Sequence, residues 1–137
     1  MPADQYFDLA GLMVRAPSAT AENHFLGAVG FGAYGYTTFE HGNTIAGGTA
    51  DGEVAWMVGA APSGDADLRL CRERSVLWIY HRHPGESTWL GPDSASRTDF
   101  PATVQVGLCA TTDAPAPDFI ANFDSFTFES LGAGCVP

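Results

Sequence analysis

The chain has 137 residues, 45% of them apolar, which fits a single domain over residues 1–137 with its own hydrophobic core. Sixteen acidic residues face only six basic ones, all arginines, and the formal net charge of −10 argues against a nucleic-acid partner, whose phosphates it would repel. No apolar run approaches the ~20 residues that a bilayer span needs, and the N-terminus lacks the basic start and apolar middle of a signal peptide, so no membrane partner is expected.

The sequence predicts short strands separated by turns. Glycine and proline are spread along the chain, and no stretch has a long apolar period of 3.6 residues. Eight segments alternate like half-buried strands, namely Leu9–Arg15, Phe25–Phe31, Tyr34–Glu40, Val54–Val58, Asp67–Arg72, Val76–Arg82, Thr103–Ala110 and Phe123–Glu129. Turn-rich stretches lie between them, among them Glu40–Asn43. This spacing predicts an all-β fold, a sandwich or barrel.

The alternation in the centre of the chain assigns two faces to a hairpin. A two-residue loop at Glu73-Arg74, or one residue later, gives the same faces in either register, because both registers keep the parity of the pairing. The outward face then carries Arg69, Cys71, Val76, Trp78, Tyr80 and Arg82. We expect the inter-sheet core to contain Leu68, Leu70, Leu77, Ile79, Val104, Val106 and Leu108.

Five segments occur in an order that resembles a known family. They are Ala10–Arg15, Asp67–Glu73, Ser87–Trp89, Phe100–Leu108 and Asn122–Phe126. Together they resemble the concanavalin A-like jelly-roll domains of the DUF1349 and laminin-G-like type, over roughly residues 9 to 129. The resemblance implies an antiparallel two-sheet β-sandwich, one sheet of it concave, with sugar binding as the commonest theme.

The chain departs from the family pattern at three places. Glu73-Arg74 stands where these domains usually have Asp-Gly, and Pro84-Gly85 stands where they have Asp-Gly before the tryptophan. Only eight residues precede Leu9, whereas the family usually has further strands there. The resemblance therefore implies a jelly roll shortened at its N-terminus.

The outward face of the hairpin is the predicted ligand-binding site, formed by Trp78, Tyr80, Arg69 and Arg82. Aromatic rings stack on the apolar faces of sugar rings, and arginine donates hydrogen bonds to hydroxyl groups. In domains of the resembled type a small polar residue usually occupies the position of Trp78. The alternative is that Trp78 and Tyr80 pack under a loop or against the second sheet, as large aromatics often do.

No metal or cofactor is predicted. His81 and His83 have a chelating spacing, but the sequence identifies no third ligand, and we interpret them as exposed histidines at a strand end. The cysteines Cys71, Cys109 and Cys135 show no zinc spacing and allow at most one internal disulfide with one cysteine left over. We interpret all three as simple thiols.

Catalytic signals are weak, so the domain is interpreted as a non-catalytic binding module. The paired carboxylates of jelly-roll glycosidases are absent, since Asp124 and Glu129 are five positions apart and fall on opposite faces of a regular strand. The main alternative is a structural or assembly domain whose exposed sheet is a protein interface, and a distant one is a glycan-active enzyme. Because the shortened N-terminus leaves sheet edges unpaired, we also expect a homodimer.

Overall fold

The computed structural model describes residues 8–17, 23–32, 36–45, 48–49, 64–112, 119–129 and 135. Within these ranges the protein contains strands and irregular segments but no helix, and so none that could cross a membrane. The described residues form eight strands: β1 Asp8–Arg15, β2 His24–Phe31, β3 Thr37–Ile45, β4 Gly48–Thr49, β5 Asp67–Glu73, β6 Val76–Arg82, β7 Leu90–Ser96 and β8 Gln105–Thr112.

The strands form two sheets that pack against each other. The larger sheet has the order β4-β3-β2-β1-β8 and the smaller has the order β5-β6-β7. Every pairing between described strands is antiparallel. Strands β5 and β6 of the smaller sheet contact β1 and β2 of the larger one. The predicted all-β, antiparallel two-sheet β-sandwich is confirmed.

Three strand predictions were wrong. The strand β3 continues through Glu40–Asn43, which was predicted as a turn, and Gly42 there lies against the Leu26 side chain of β2. The strand β7 was missed because Leu90–Ser96 contains glycine, proline and three polar residues and shows no apolar alternation. The segment Phe123–Glu129 forms no strand, and the predicted strand Val54–Val58 lies outside the described residues.

The core lies between the two sheets and contains much of the predicted set. Leu77 and Ile79 are fully buried, and they pack with Phe25 and Phe39 of the larger sheet. Partly buried side chains pack against this cluster, among them the predicted Leu68, Leu70 and Val104. These five predicted core positions are therefore part of the core or packed on it.

Two predicted core residues, Val106 and Leu108, are exposed, at 37% and 44% of their surface. They pair with Val14 and Leu12 of β1 and so point to the inner side of the larger sheet, as their alternation predicted. Strand β8 lies beyond β1 at the end of the five-stranded sheet, whereas the three-stranded sheet packs mainly on β1 and β2. Inward orientation alone does not bury a side chain that the smaller sheet does not cover.

Candidate functional site

The hairpin β5–β6 positions the predicted site residues. Glu73 pairs with Val76, which leaves Arg74 and Ser75 as the two-residue loop, one residue later than the first of the two predicted positions. Arg74 adopts a positive φ of 55°, which a tight two-residue hairpin loop requires. Arg72 stabilises this end of the hairpin, since its Nε donates to the carbonyl oxygen of Arg74 over 2.8 Å.

The register of the hairpin brings the four predicted site residues onto one face. Arg69 is opposite Tyr80, and the neighbouring pairs on the same face are Asp67 with Arg82 and Cys71 with Trp78. Side chains directly opposite each other in an antiparallel pair have Cβ atoms about 5 Å apart. On its outward face, the β5–β6 hairpin therefore carries three adjacent cross-strand pairs.

The two aromatics of this face do not form the exposed platform that the sequence predicted. Tyr80 is only 7% exposed, and its buried hydroxyl has no hydrogen-bond partner among the described residues. Trp78 is half-buried. Both side chains point away from the inter-sheet core, and Tyr80 is nevertheless buried.

Trp89 is the aromatic that meets the predicted arginines. The guanidinium carbons of Arg69 and Arg82 lie 4.2 and 4.4 Å from the centroid of its ring. The Nε of Arg82 also donates to Oδ2 of Asp67 over 2.7 Å. We call Asp67, Arg69, Arg82 and Trp89 the arginine–tryptophan cluster.

A tight turn between β6 and β7 carries Trp89 back over the hairpin. The amide of Glu86 donates to the carbonyl oxygen of His83 over 3.1 Å, with Pro84 and Gly85 at the two central positions. Gly85 has a φ of +84°, which glycine adopts readily and other residues rarely do. The signal for Trp89 was present in the sequence, since Ser87–Trp89 is part of the family pattern, but its place over the arginines was not deducible from the hairpin alone.

The cluster offers several hydrogen-bond donors and one acceptor near a large ring. A guanidinium that stacks on an aromatic face keeps its N–H groups directed outward from the edge of its own plane. Asp67 supplies carboxylate oxygens, and its side chain is 41% exposed, while that of Arg82 is 28% exposed. Two positive charges and one negative charge meet here, on a chain whose formal net charge is −10.

A disulfide joins Cys71 to Cys135, so our interpretation of all three cysteines as thiols was wrong. The bond ties residue 135 to the outward face of β5, opposite Trp78. Sequence spacing did not indicate this pairing because the two cysteines are 64 residues apart. Cys109 is the free cysteine, and burial raises the pKa of its thiol.

His41 and His81 lie between the two sheets. His81 is 7% exposed and stacks on Phe39 with ring centroids 4.2 Å apart, so its interpretation as an exposed histidine was wrong. Burial lowers the pKa of His81, against the opposing effect of nearby Asp93. Nδ1 of His41 lies 3.4 Å from Oδ2 of Asp93. Within the described ranges, no three metal-binding side chains are grouped as a metal site would require.

Comparison of the chain with protein-family models, curated proteins and solved structures finds no match. The concanavalin A-like resemblance therefore stays a prediction, and function has to be argued from the residues of the site.

Proposed function

We propose that this domain is a non-catalytic binding module that recognises carbohydrate on the outward face of its smaller sheet. The observation that carries the proposal is the arginine–tryptophan cluster, in which two guanidinium groups stack on one half-buried indole and a carboxylate pairs with one of them. Trp89 and Arg82 replace Tyr80 at the centre of the predicted site, because Tyr80 is buried.

The chemistry of the cluster suits a saccharide. The half-buried indole of Trp89 supplies apolar surface for the C–H groups of a sugar ring. Arg82 and Arg69 donate hydrogen bonds to hydroxyl or carboxylate oxygens, and Asp67 accepts from hydroxyl groups. Because stacking and ion pairing hold the arginines in place, binding orders fewer side chains and less conformational entropy is lost.

The carboxylate content of the cluster supports binding rather than hydrolysis. Most glycosidases place two carboxyl groups on opposite sides of the scissile bond, about 5 to 10 Å apart. In the cluster the carboxylate is Asp67, and it is ion-paired with Arg82. Asp124 and Glu129 belong to a segment without strand structure, which does not hold them in a fixed pair across a sheet.

A glycan array followed by calorimetry tests the proposal. We expect the protein to bind at least one saccharide, and Trp89→Ala to weaken that binding roughly tenfold or more, as for a central tryptophan in an interface. Arg82→Ala should weaken binding as well. The matched control is Arg15→Ala, which removes an exposed arginine that bonds Gln105 on the larger sheet. Unchanged affinity in Trp89→Ala, or no binding to any glycan, would contradict the proposal.

A second candidate, self-association as a homodimer, is favoured by the exposed apolar side chains of β8. Val106 and Leu108 lie on the uncovered inner side of the larger sheet, and β8 is at the end of the described strand order. Exposed edge strands with apolar side chains promote pairing with another chain. Light scattering at several concentrations tests the candidate, since a mass near 14.4 kDa throughout excludes it, and Leu108→Asp should shift any dimer towards monomer.

A further inference from the structure

His81 is a buried, titratable residue next to the arginine–tryptophan cluster. Its ring stacks on Phe39 between the two sheets, and the residue is 7% exposed. Neither ring nitrogen of His81 has a hydrogen-bond partner among the described residues. The next residue, Arg82, points to the opposite face of β6 and belongs to the cluster. A change in the charge of His81 therefore occurs one residue away from the ligand-binding face.

Strand pairing connects His81 to Trp89. Ile79 pairs with Asp93 of β7, and the next pair is His81 with Leu90, so a β-bulge separates this last pair from the rest of the β6–β7 pairing. Trp89 directly precedes Leu90. Because a single pair beyond a bulge is held by few hydrogen bonds, it can open while the other pairs of β6 and β7 stay closed. The position of Trp89 thus depends on the packing of His81.

Charged groups on the surrounding strands offer His81 little compensation for a positive charge. The carboxylate of Asp93 on β7 and the ring of His83, just after β6, act on it electrostatically. Oδ2 of Asp93 also lies 3.4 Å from Nδ1 of His41 on β3, so the two histidines share this carboxylate. Strands β2 and β8 have no titratable residue at an inward-facing position. The remaining titratable residues at inward-facing positions of the described strands are Asp8 of β1 and Arg72 of β5.

This environment favours the neutral form of His81. Burial is the main cause that lowers the pKa of His81, the charge of Asp93 opposes it, and His83 lowers the pKa further. Above the ordinary pKa of 6.5, a base with a lowered pKa is neutral in every conformation and costs the packed state nothing. As the pH falls below that value, conformations that expose the ring take up the proton first. Mild acid therefore favours any conformation in which the His81 ring reaches water.

We propose that His81 is a proton-sensitive switch on the carbohydrate site, in which the neutral imidazole holds the start of β7 in place and protonation releases Trp89 from the arginines. The inference rests on the proposed function for the identity of the ligand. When His81 takes up a proton, the imidazolium moves from the inter-sheet space towards water, and the His81–Leu90 pair beyond the bulge opens. Trp89 then leaves Arg69 and Arg82, and its apolar surface is lost from the site. The protein thus binds its saccharide at neutral pH and releases it in mild acid.

NMR spectra recorded between about pH 8 and about pH 5 test the switch without any saccharide, because histidine titrates in this range. Two quantities are followed: the indole N–H signal of Trp89, and the nuclear Overhauser contacts between its ring and the side chains of Arg69 and Arg82. In the wild-type chain we expect the indole signal to shift reversibly and most of the Overhauser intensity to be lost as the pH is lowered. The imidazole signals of His81 should titrate over the same pH range as these changes.

Variants at two histidines assign the pH dependence to His81. His81→Leu replaces the imidazole by an apolar side chain of similar size that takes up no proton, so Trp89 should stay on the arginines at both ends of the pH range. The matched control is His24→Gln, which removes a histidine near Arg97, whose guanidinium bonds the carbonyl oxygen of residue 24. This control should behave as the wild type does. His81→Gln, which is polar but does not titrate, takes the place of His81→Leu if that variant fails to fold.

Three results of the NMR experiment would overturn the switch. One is that the Overhauser contacts between Trp89 and the arginines persist in the wild type at the acid end of the range. The second is that the wild type and the His81 variant show the same pH dependence. The third is loss of the dispersed β-sheet amide spectrum in mild acid, because acid would then unfold the whole domain rather than release Trp89.

Calorimetry separates failure of the switch from failure of the proposed function. The best saccharide from the glycan array is titrated into wild type and His81→Leu at about pH 8 and about pH 5. If about nine molecules in ten have released Trp89 at the lower pH, the wild-type affinity falls roughly tenfold, whereas His81→Leu keeps its affinity. Equal wild-type affinities at the two pH values would overturn the switch. Absence of all binding would overturn the proposed function and leave the NMR spectra as the test of the switch.

Discussion

Arginine side chains lie in two different environments in this protein. Arg97 is fully buried, and each of its five N–H groups donates a hydrogen bond. The acceptors are Asp99, Asn23, Asn43 and the carbonyl oxygen of His24. Arg69 and Arg82 instead stack on a half-buried indole near the surface. A full set of hydrogen bonds inside the protein marks a structural arginine, whereas stacking near the surface leaves a guanidinium close to solvent.

The position of Arg97 shows which parts of the fold its five hydrogen bonds connect. It follows β7 in the smaller sheet, and its amide donates to the carbonyl oxygen of Ser75 over 2.6 Å. Its side chain reaches β2 and β3 of the larger sheet through His24 and Asn43, and its guanidinium carbon lies 3.9 Å from the ring centroid of Phe100. This one side chain therefore joins the two sheets at the end of the sandwich near the β5–β6 turn.

The largest effect is expected from Arg97→Ala. Removing the buried guanidinium leaves several partly buried acceptors without donors and removes the partner of Asp99, so the free energy of unfolding should fall by about 3–5 kcal/mol. Arg82→Ala, which breaks a partly exposed ion pair, should cost about 1 kcal/mol or less. Urea denaturation of both variants measures the difference. Similar losses in the two variants would remove the distinction between structural and surface arginines.

The covered and uncovered parts of the inter-sheet space give a second contrast. Leu77→Ala should lower the free energy of unfolding by roughly 2–5 kcal/mol, because the fully buried side chain leaves a cavity. Leu108→Ala should cost less than about 1 kcal/mol, since Leu108 is largely exposed. Thermal and urea unfolding of the two variants provide the comparison. A large loss of unfolding free energy in Leu108→Ala would mean that a neighbouring chain covers β8 in solution. Light scattering should then give the mass of a dimer.

Acid should weaken the Arg97 end of the sandwich. Hydrogen bonding to Arg97 is the main cause that lowers the pKa of Asp99 from 3.8 to about 2. A carboxyl group whose folded pKa is depressed stabilises the fold fully above its unfolded pKa and loses that contribution as pH falls towards the folded value. The urea concentration at the midpoint of unfolding should therefore decrease as the pH is lowered from 4 to 2. In Asp99→Asn this concentration should depend less on pH over the same range. If Asp99→Asn keeps the full wild-type dependence of the urea midpoint on pH, other carboxyl groups cause that dependence.

The sequence predicted the faces of the hairpin because parity alone determines them. Leu77 and Ile79 point inward, and Arg69 and Arg82 point outward, whichever of the two turn positions is chosen. What covers a face was not predictable in the same way. The burial of Tyr80 and the exposure of Leu108 depend on which strands and segments lie opposite, and that is set by long-range packing rather than by alternation.

The parts that the sequence missed share a physical cause. Trp89 reaches the arginines through a turn in which Gly85 has a positive φ, and Cys71 meets Cys135 from a position 64 residues away. Strand β7 is held by pairing with β6 and has little strand propensity of its own, since it contains Gly91 and Pro92. Local propensity predicted the central hairpin, and contacts from distant segments completed the site around it.

The central claim, that the arginine–tryptophan cluster binds carbohydrate, is tested most directly by the indole N–H signals in a nitrogen-15 NMR titration. Single Trp→Phe variants assign the indole signals of the three tryptophans, Trp56, Trp78 and Trp89. On titration of the protein with the best saccharide from the array, we expect a saturable shift of the Trp89 signal that is larger than that of either other tryptophan. A saccharide that binds while the Trp89 signal stays in place would contradict it.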